Sequence, residues 1–124
     1  MDSILEELED GITILRVDGA INDDNAGQLT DELGRLIDDG LTSLIVDCTK
    51  LTSISSMGLS TLLLLHNRMR RRGGHVKIAS LQGQTREVMR LTRLDEVLDV
   101  YPDVKHAQAS FTGLPGKPPK ASSD

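Results

Sequence analysis

The chain has 124 residues, room for one core of ordinary domain size and little more. Hydrophobic residues at 38% and charged residues at 27% form a globular balance, which excludes a chain disordered throughout. A net charge of −5, with Tyr101 and Phe111 the sole aromatic residues, excludes broad attraction to nucleic acid and a surface of stacked bases; no direct nucleic-acid partner is expected.

Ile4 to Leu8, Asp10-Gly11 and Ile12 to Val17 predict two strands joined by a tight two-residue turn, because Asp-Gly tolerates the positive φ such a turn requires. In the second strand Ile12 and Ile14 point one way and Thr13, Leu15 and Val17 the other, so the sheet is expected to be covered on at least part of both sides. Asp23 to Asp39 places Ala26, Leu29, Leu33, Leu36 and Ile37 at helical spacing, with Asn22 or Asp23 as N-cap and Gly40 just past the end. Leu44-Ile45-Val46, ending in Asp47, has the pattern of a central strand buried on both faces, after which the chain turns through Thr49 to Ser55. A helix beginning near Ser56 sets Leu59, Leu62, Leu63, His66 and Met69 on one face. It ends in Arg68, Arg70, Arg71 and Arg72, which complement the carboxyl end of the helix dipole. Val76, Ile78 and Leu81 mark another strand and Thr85 to Leu91 another helix, with Leu94, Val97 and Leu98 continuing an apolar pattern toward Val100-Tyr101. Asp103 caps a short final helix carrying Val104, Ala107 and Phe111. From Thr112 the composition turns to Gly, Pro, Lys and Ser without periodicity, so residues 112–124 are expected to be a disordered tail behind a domain of residues 1–111. The element order predicts an α/β fold, a mixed β-sheet with an opening hairpin and helices packed mainly on one face.

The longest leucine run, Leu62 to Leu65, falls far short of the ~20 apolar residues of a membrane span, and Met1-Asp2 lacks the positive start of a signal peptide. A cytoplasmic location and no membrane partner are expected. The single Cys48 cannot form an internal disulfide, and with three scattered histidines it gives no zinc spacing, so neither metal nor cofactor is expected. Cys48 reads as a small buried hydrophobe, His66 as a residue at the edge of the core face, and His75 and His106 as solvated. There is no Gly-x-Ser-x-Gly elbow, no phosphate-binding glycine pattern and no histidine related to Ser56 as a base, which argues against an enzyme. A hydrolase using Ser56 would have to turn over activated esters and lose that turnover in Ser56→Ala.

The most informative stretch is Val46-Asp47-Cys48-Thr49-Lys50-Leu51-Thr52-Ser53-Ile54-Ser55-Ser56-Met57-Gly58-Leu59, a buried strand ending in Asp, a connection, and serines at a helix start. Together with Gly19-Ala20-Ile21-Asn22 before the first helix, it resembles the STAS domain of anti-sigma-factor antagonists over about residues 4 to 111. The resemblance matches Ser56 to the family's phosphorylated serine, Gly58 to its following glycine and Leu59 to its core leucine. Ser55 stands where the family usually has Asp, Met57 where it has Ser or Thr, and Asn22 where another Asp is common. The resemblance implies a protein whose unphosphorylated form binds an anti-sigma factor that is also a serine kinase, freeing the sigma factor, and whose phosphorylated form lets go. A phosphatase would reverse the modification, and homodimerisation is left open. The other reading is an unphosphorylated STAS scaffold or accessory subunit in a signalling or transport complex.

Elementary electrostatics supports a switch at Ser56. A phosphate adds about −1.5 to −2 charges, which a helix N-terminus tolerates. Ser55, Ser56 and Met57 beside Asn22, Asp23 and Asp24 are the candidate partner surface, with Ser55 the local competitor for the phosphate. Added charge there would repel a partner fitted to the neutral form. Simple N-capping is the structural alternative for both serines, and Asp47 reads as a strand-end residue that satisfies nearby N–H groups.

Overall fold

A computed structural model describes residues 1–8 and 10–111, so the expected tail at 112–124 lies outside the described residues. The described residues form five strands and four α-helices: β1 (Asp2–Glu7), β2 (Thr13–Ile21), α1 (Ala26–Asp38), β3 (Ser43–Ile54), α2 (Ser56–Arg71), β4 (His75–Ala79), α3 (Gly83–Leu91), β5 (Asp99–Tyr101) and α4 (Val104–Phe111), with a 3₁₀ turn at Leu94–Glu96. The sheet order is β1-β2-β3-β4-β5; β1 runs antiparallel to β2 and the other neighbours pair in parallel. This is the expected mixed α/β sheet with an opening hairpin.

The two faces follow from the period of two along each strand. Leu15, Val17, Leu44, Val46 and Ile78 face α1, α2 and α3 in the main core, which Leu29, Leu33, Leu62 and Leu65 fill from the helices. Ile12, Ile14, Ile45, Ala79 and Tyr101 face the other way, onto a second cluster that α4 covers with Val104, Ala107 and Phe111. Three helices therefore lie on one face and a short fourth on part of the other.

Several boundaries differ from expectation. Leu8 N–H donates to Ile12 O (2.8 Å) and Gly11 N–H to Leu8 O (3.1 Å), so the closing pair brackets three residues, not two, with Gly11 at φ +84°. The expected turn through Thr49 to Ser55 is instead the second half of β3. It stays paired along β2 to Ile21↔Ile54 by absorbing two register shifts, and Leu51 is drawn into the main core. α1 begins at Ala26 rather than Asp23, and its C-terminus is followed by Gly40 at φ +111°, as its sequence position predicts. On α2, Leu65 and Thr61 are buried where Leu63 was expected, Leu63 is half-buried, and His66 lies inside at 5% exposure rather than at the edge.

Candidate functional site

α2 starts where β3 meets it without a loop. Ser55 is extended (φ −83°, ψ 171°), its Oγ accepts the Gly58 N–H at 3.1 Å, and its carbonyl accepts the Leu59 N–H at 2.9 Å. It is the N-cap, so capping is the role of Ser55. Ser56 is the first helical residue and is exposed; among the described residues its hydroxyl makes no hydrogen bond. Met57 is 50% exposed beside it. A Cβ on Gly58 would lie 2.7 Å from Ile54 Cγ1 and 2.8 Å from Ile21 Cγ2, so the absence of a side chain lets the first turn of α2 sit down on the ends of β2 and β3.

The second half of the site comes from the end of β2. Ser55 N–H donates to Ile21 O at 2.9 Å, tying the start of α2 to the residue just before Asn22. Asn22 does not cap α1. Its Oδ1 accepts the N–H groups of Asp24 (2.9 Å) and Asn25 (3.2 Å), closing a turn one step ahead of the helix. Asn25, at the N-cap position and without a cap bond of its own, returns the favour: its Oδ1 accepts the Asn22 N–H and its Nδ2 donates to Ala20 O, both at 2.9 Å. Asn22, Asp23 and Asp24 are exposed on this turn. The six residues singled out from the sequence thus lie on two adjoining segments joined by the Ile21–Ser55 bond. Asn25, which braces the turn from below, was missed because an Asn four residues past Gly-Ala-Ile reads simply as helix approach.

Other candidates are structural. Asp47 Oδ1 accepts the Thr49 N–H (3.1 Å) and hydroxyl (2.6 Å), the role expected of it, although it lies mid-strand rather than at a strand end. Burial pushes the Cys48 thiol up to about 12, with the Asp47 carboxylate adding to the effect, so it stays an unreactive thiol in the core. Arg68 and Arg72 reach the Asp38 carboxylate on α1 at 3.6 and 3.2 Å, which adds an inter-helix tie to the dipole role expected of the arginines. His75 is half-buried, and desolvation lowers its pKa; His106 is exposed and bonds Asp103. Among the described residues no group of three His, Cys, Asp or Glu side chains is placed to hold a metal, and no helix is long and apolar enough to cross a membrane.

The arrangement presents an exposed hydroxyl at a helix N-terminus, backed by a rigid cap and flanked by a carboxylate-bearing turn. A helix start of this kind can hold added negative charge, and the adjoining turn carries the like charges of Asp23 and Asp24.

The model of the STAS domain family matches residues 4–107. BtrV of Bordetella bronchiseptica, named as an anti-sigma factor antagonist, is 33% identical over 107 residues, covering 86% of this chain and 92% of that protein. A Thermotoga maritima protein named as an anti-sigma factor antagonist shares the fold at a TM-score of 0.80 and 20% identity, over 86% of this chain and 91% of that one. The Bacillus cell fate determinant SpoIIAA, solved in its phosphorylated form, shares it at 0.68 and 16% identity, over 86% and 97%. Matched along most of its length by that family and by a relative of the same type, this chain belongs to the STAS domain family, on its anti-sigma factor antagonist branch.

Proposed function

We propose that the chain is a cytoplasmic, non-enzymatic switch. Its unphosphorylated form binds an anti-sigma factor with serine kinase activity and so frees a sigma factor, phosphorylation of Ser56 ends that binding, and a phosphatase restores it. The reading rests on one contrast: Ser55 is committed to the Gly58 N–H, whereas Ser56 stands exposed with its hydroxyl unengaged among the described residues. Support also comes from BtrV, which carries the name of an anti-sigma factor antagonist, and from SpoIIAA, a protein of this fold that exists in a phosphorylated form. Asn22, Asp23, Asp24, Ser55 and Met57 complete the partner surface in this reading, and phosphate beside Asp23 and Asp24 adds charge that a partner fitted to the neutral face must desolvate.

The second reading, an unphosphorylated scaffold or accessory subunit, is favoured by Asn22, whose carboxamide oxygen is occupied by Asp24 and Asn25 rather than offered to a partner. Binding to the cognate anti-sigma kinase separates the two. The switch predicts that Ser56→Ala binds as wild type and that Ser56→Asp binds at least about tenfold more weakly with unchanged thermal stability, since a carboxylate at a helix start costs nothing. Equal affinity for both variants would leave the scaffold reading standing.

A further inference from the structure

One edge of the sheet is β1, a different element from the one that carries Ser56. All six of its residues are exposed, with Ile4 at 64% and Leu5 at 40%. Proteins ordinarily protect an edge by brevity, proline, lysine or a bulge. β1 has no proline, lysine or bulge: it is six residues long and pairs without a register shift from Asp2↔Asp18 to Glu7↔Thr13, so its protection is charge alone. Its charges have a single sign, from Asp2, Glu6 and Glu7. In an antiparallel pairing with a second copy centred on Ile4, Asp2 would face Glu6, and like charges placed opposite each other destabilise a sheet. Three carboxylates and no cation on the strand make the edge complementary to a positive segment.

The adjoining face points the same way. Asp2, Ile4 and Glu6 share with Arg16, Asp18 and Asp47 the part of the sheet that α4 leaves uncovered, and a hollow of about 450 Å³ opens there, reaching Lys50. Asp2 stands directly opposite Asp18, and among the described residues neither makes an ion pair. Arg16 does not serve them, because its guanidinium is held by Glu6 and by Asp47, the latter at 3.6 Å.

We propose that β1 is a docking edge for an extended segment of a protein partner in which basic and apolar residues alternate. The segment adds a sixth strand by backbone hydrogen bonds. Its alternate side chains fall on the two faces. On the open face, lysine or arginine stems lie over Ile4 and carry their charges to Asp2 and Asp18; on the other, apolar side chains extend the surface of Leu5.

The test uses the full chain and the peptide acetyl-Lys-Val-Lys-Ile-Lys-Val-amide, with the same peptide bearing Glu for Lys as control, read by amide hydrogen exchange and NMR shifts. The proposal predicts that the basic peptide slows exchange of β1 amides by about tenfold or more, that the acidic one does not, and that Asp2→Asn with Asp18→Asn weakens the effect at least about fivefold without lowering Tm. Unchanged β1 exchange, shifts centred on α2 or spread over the whole acidic surface, or a dimer of this chain formed through β1 would each overturn it.

Discussion

Ser55 and Ser56 are adjacent and chemically identical, and their difference is wholly one of geometry. The Ser55 hydroxyl answers an N–H that would otherwise lack a partner in the first turn, so Ser55→Ala should cost about 1 kcal/mol in urea denaturation, while Ser56→Ala should stay within about 0.5 kcal/mol of wild type. Gly58 sets two effects against each other. Alanine gains about 1 kcal/mol of helix propensity, but its Cβ would press into Ile54 and Ile21, and such overpacking costs about 1–3 kcal/mol. Gly58→Ala should therefore be destabilising on balance, measurable as a lowered denaturation midpoint, and it should shift the NMR signals of Ile21 and Ile54 together. A stabilised Gly58→Ala would show that α2 does not seat on the strand ends as described.

Among the elements, α2 and α4 stand at opposite ends of a range. α2 buries Leu62 and Leu65 at 1% exposure each in the main core, so Leu62→Ala should cost about 2–5 kcal/mol by leaving a cavity. Arg71→Ala, on its exposed last turn, should cost less than about 1 kcal/mol through the helix dipole. α4 has eight residues and depends on special contacts. Asp103 accepts the His106 N–H at 2.7 Å, and this bond, joined by the His106 ring, holds the Asp103 carboxyl below its ordinary range. A carboxyl whose pKa is depressed by folding stabilises the folded state fully above its unfolded pKa and loses that contribution as pH falls through the folded value. The protection of α4 amides, measured as exchange relative to an unstructured chain at the same pH, should accordingly begin to fall as pH drops below the ordinary carboxylate range, and Asp103→Ala should abolish that pH dependence. The far end of α4 is fixed by Lys77, 1% exposed, whose Nζ lies 3.2 Å from the Tyr101 hydroxyl and 4.7 Å from the centre of the Phe111 ring. Both aromatic side chains of the protein meet one ammonium group. Nothing in His75-Val76-Lys77-Ile78-Ala79 announces this, because a lysine between two core residues reads as the solvent side of an alternating strand. Whether that side is covered depends on a helix some thirty residues later. The same limit hid the second half of β3: Thr49, Lys50 and Thr52 are polar and exposed, and the segment is strand only because Lys50, Leu51, Ser53 and Ile54 pair with β2 around two register shifts. Where apolar period and cap agreed, as in α1 and in α2 from Ser56, the elements were legible to within a few residues.

At the scale of the molecule, the two ends of α2 differ in chemistry. The serines and the Asn22–Asn25 turn gather at one end, where β2 and β3 finish. The arginines gather at the other end of α2, roughly 20 Å away at 1.5 Å per residue, beyond the distance over which exposed charges are felt in physiological salt. A phosphate on Ser56 would therefore meet the helix start, with none of these α2 arginines near enough to neutralise it. Of the site, the residue types and their grouping were legible from sequence; the division of labour between the serines and the bracing by Asn25 required coordinates, because each depends on which of two equivalent groups a backbone N–H selects. The central claim, that Ser56 is the switch residue, is tested most directly by incubating the chain with ATP and its cognate anti-sigma kinase and mapping phosphate by mass spectrometry. The account predicts a single phosphate on Ser56, retained in Ser55→Ala and lost in Ser56→Ala. Phosphate on Ser55, or none on a chain that binds the kinase, would contradict it.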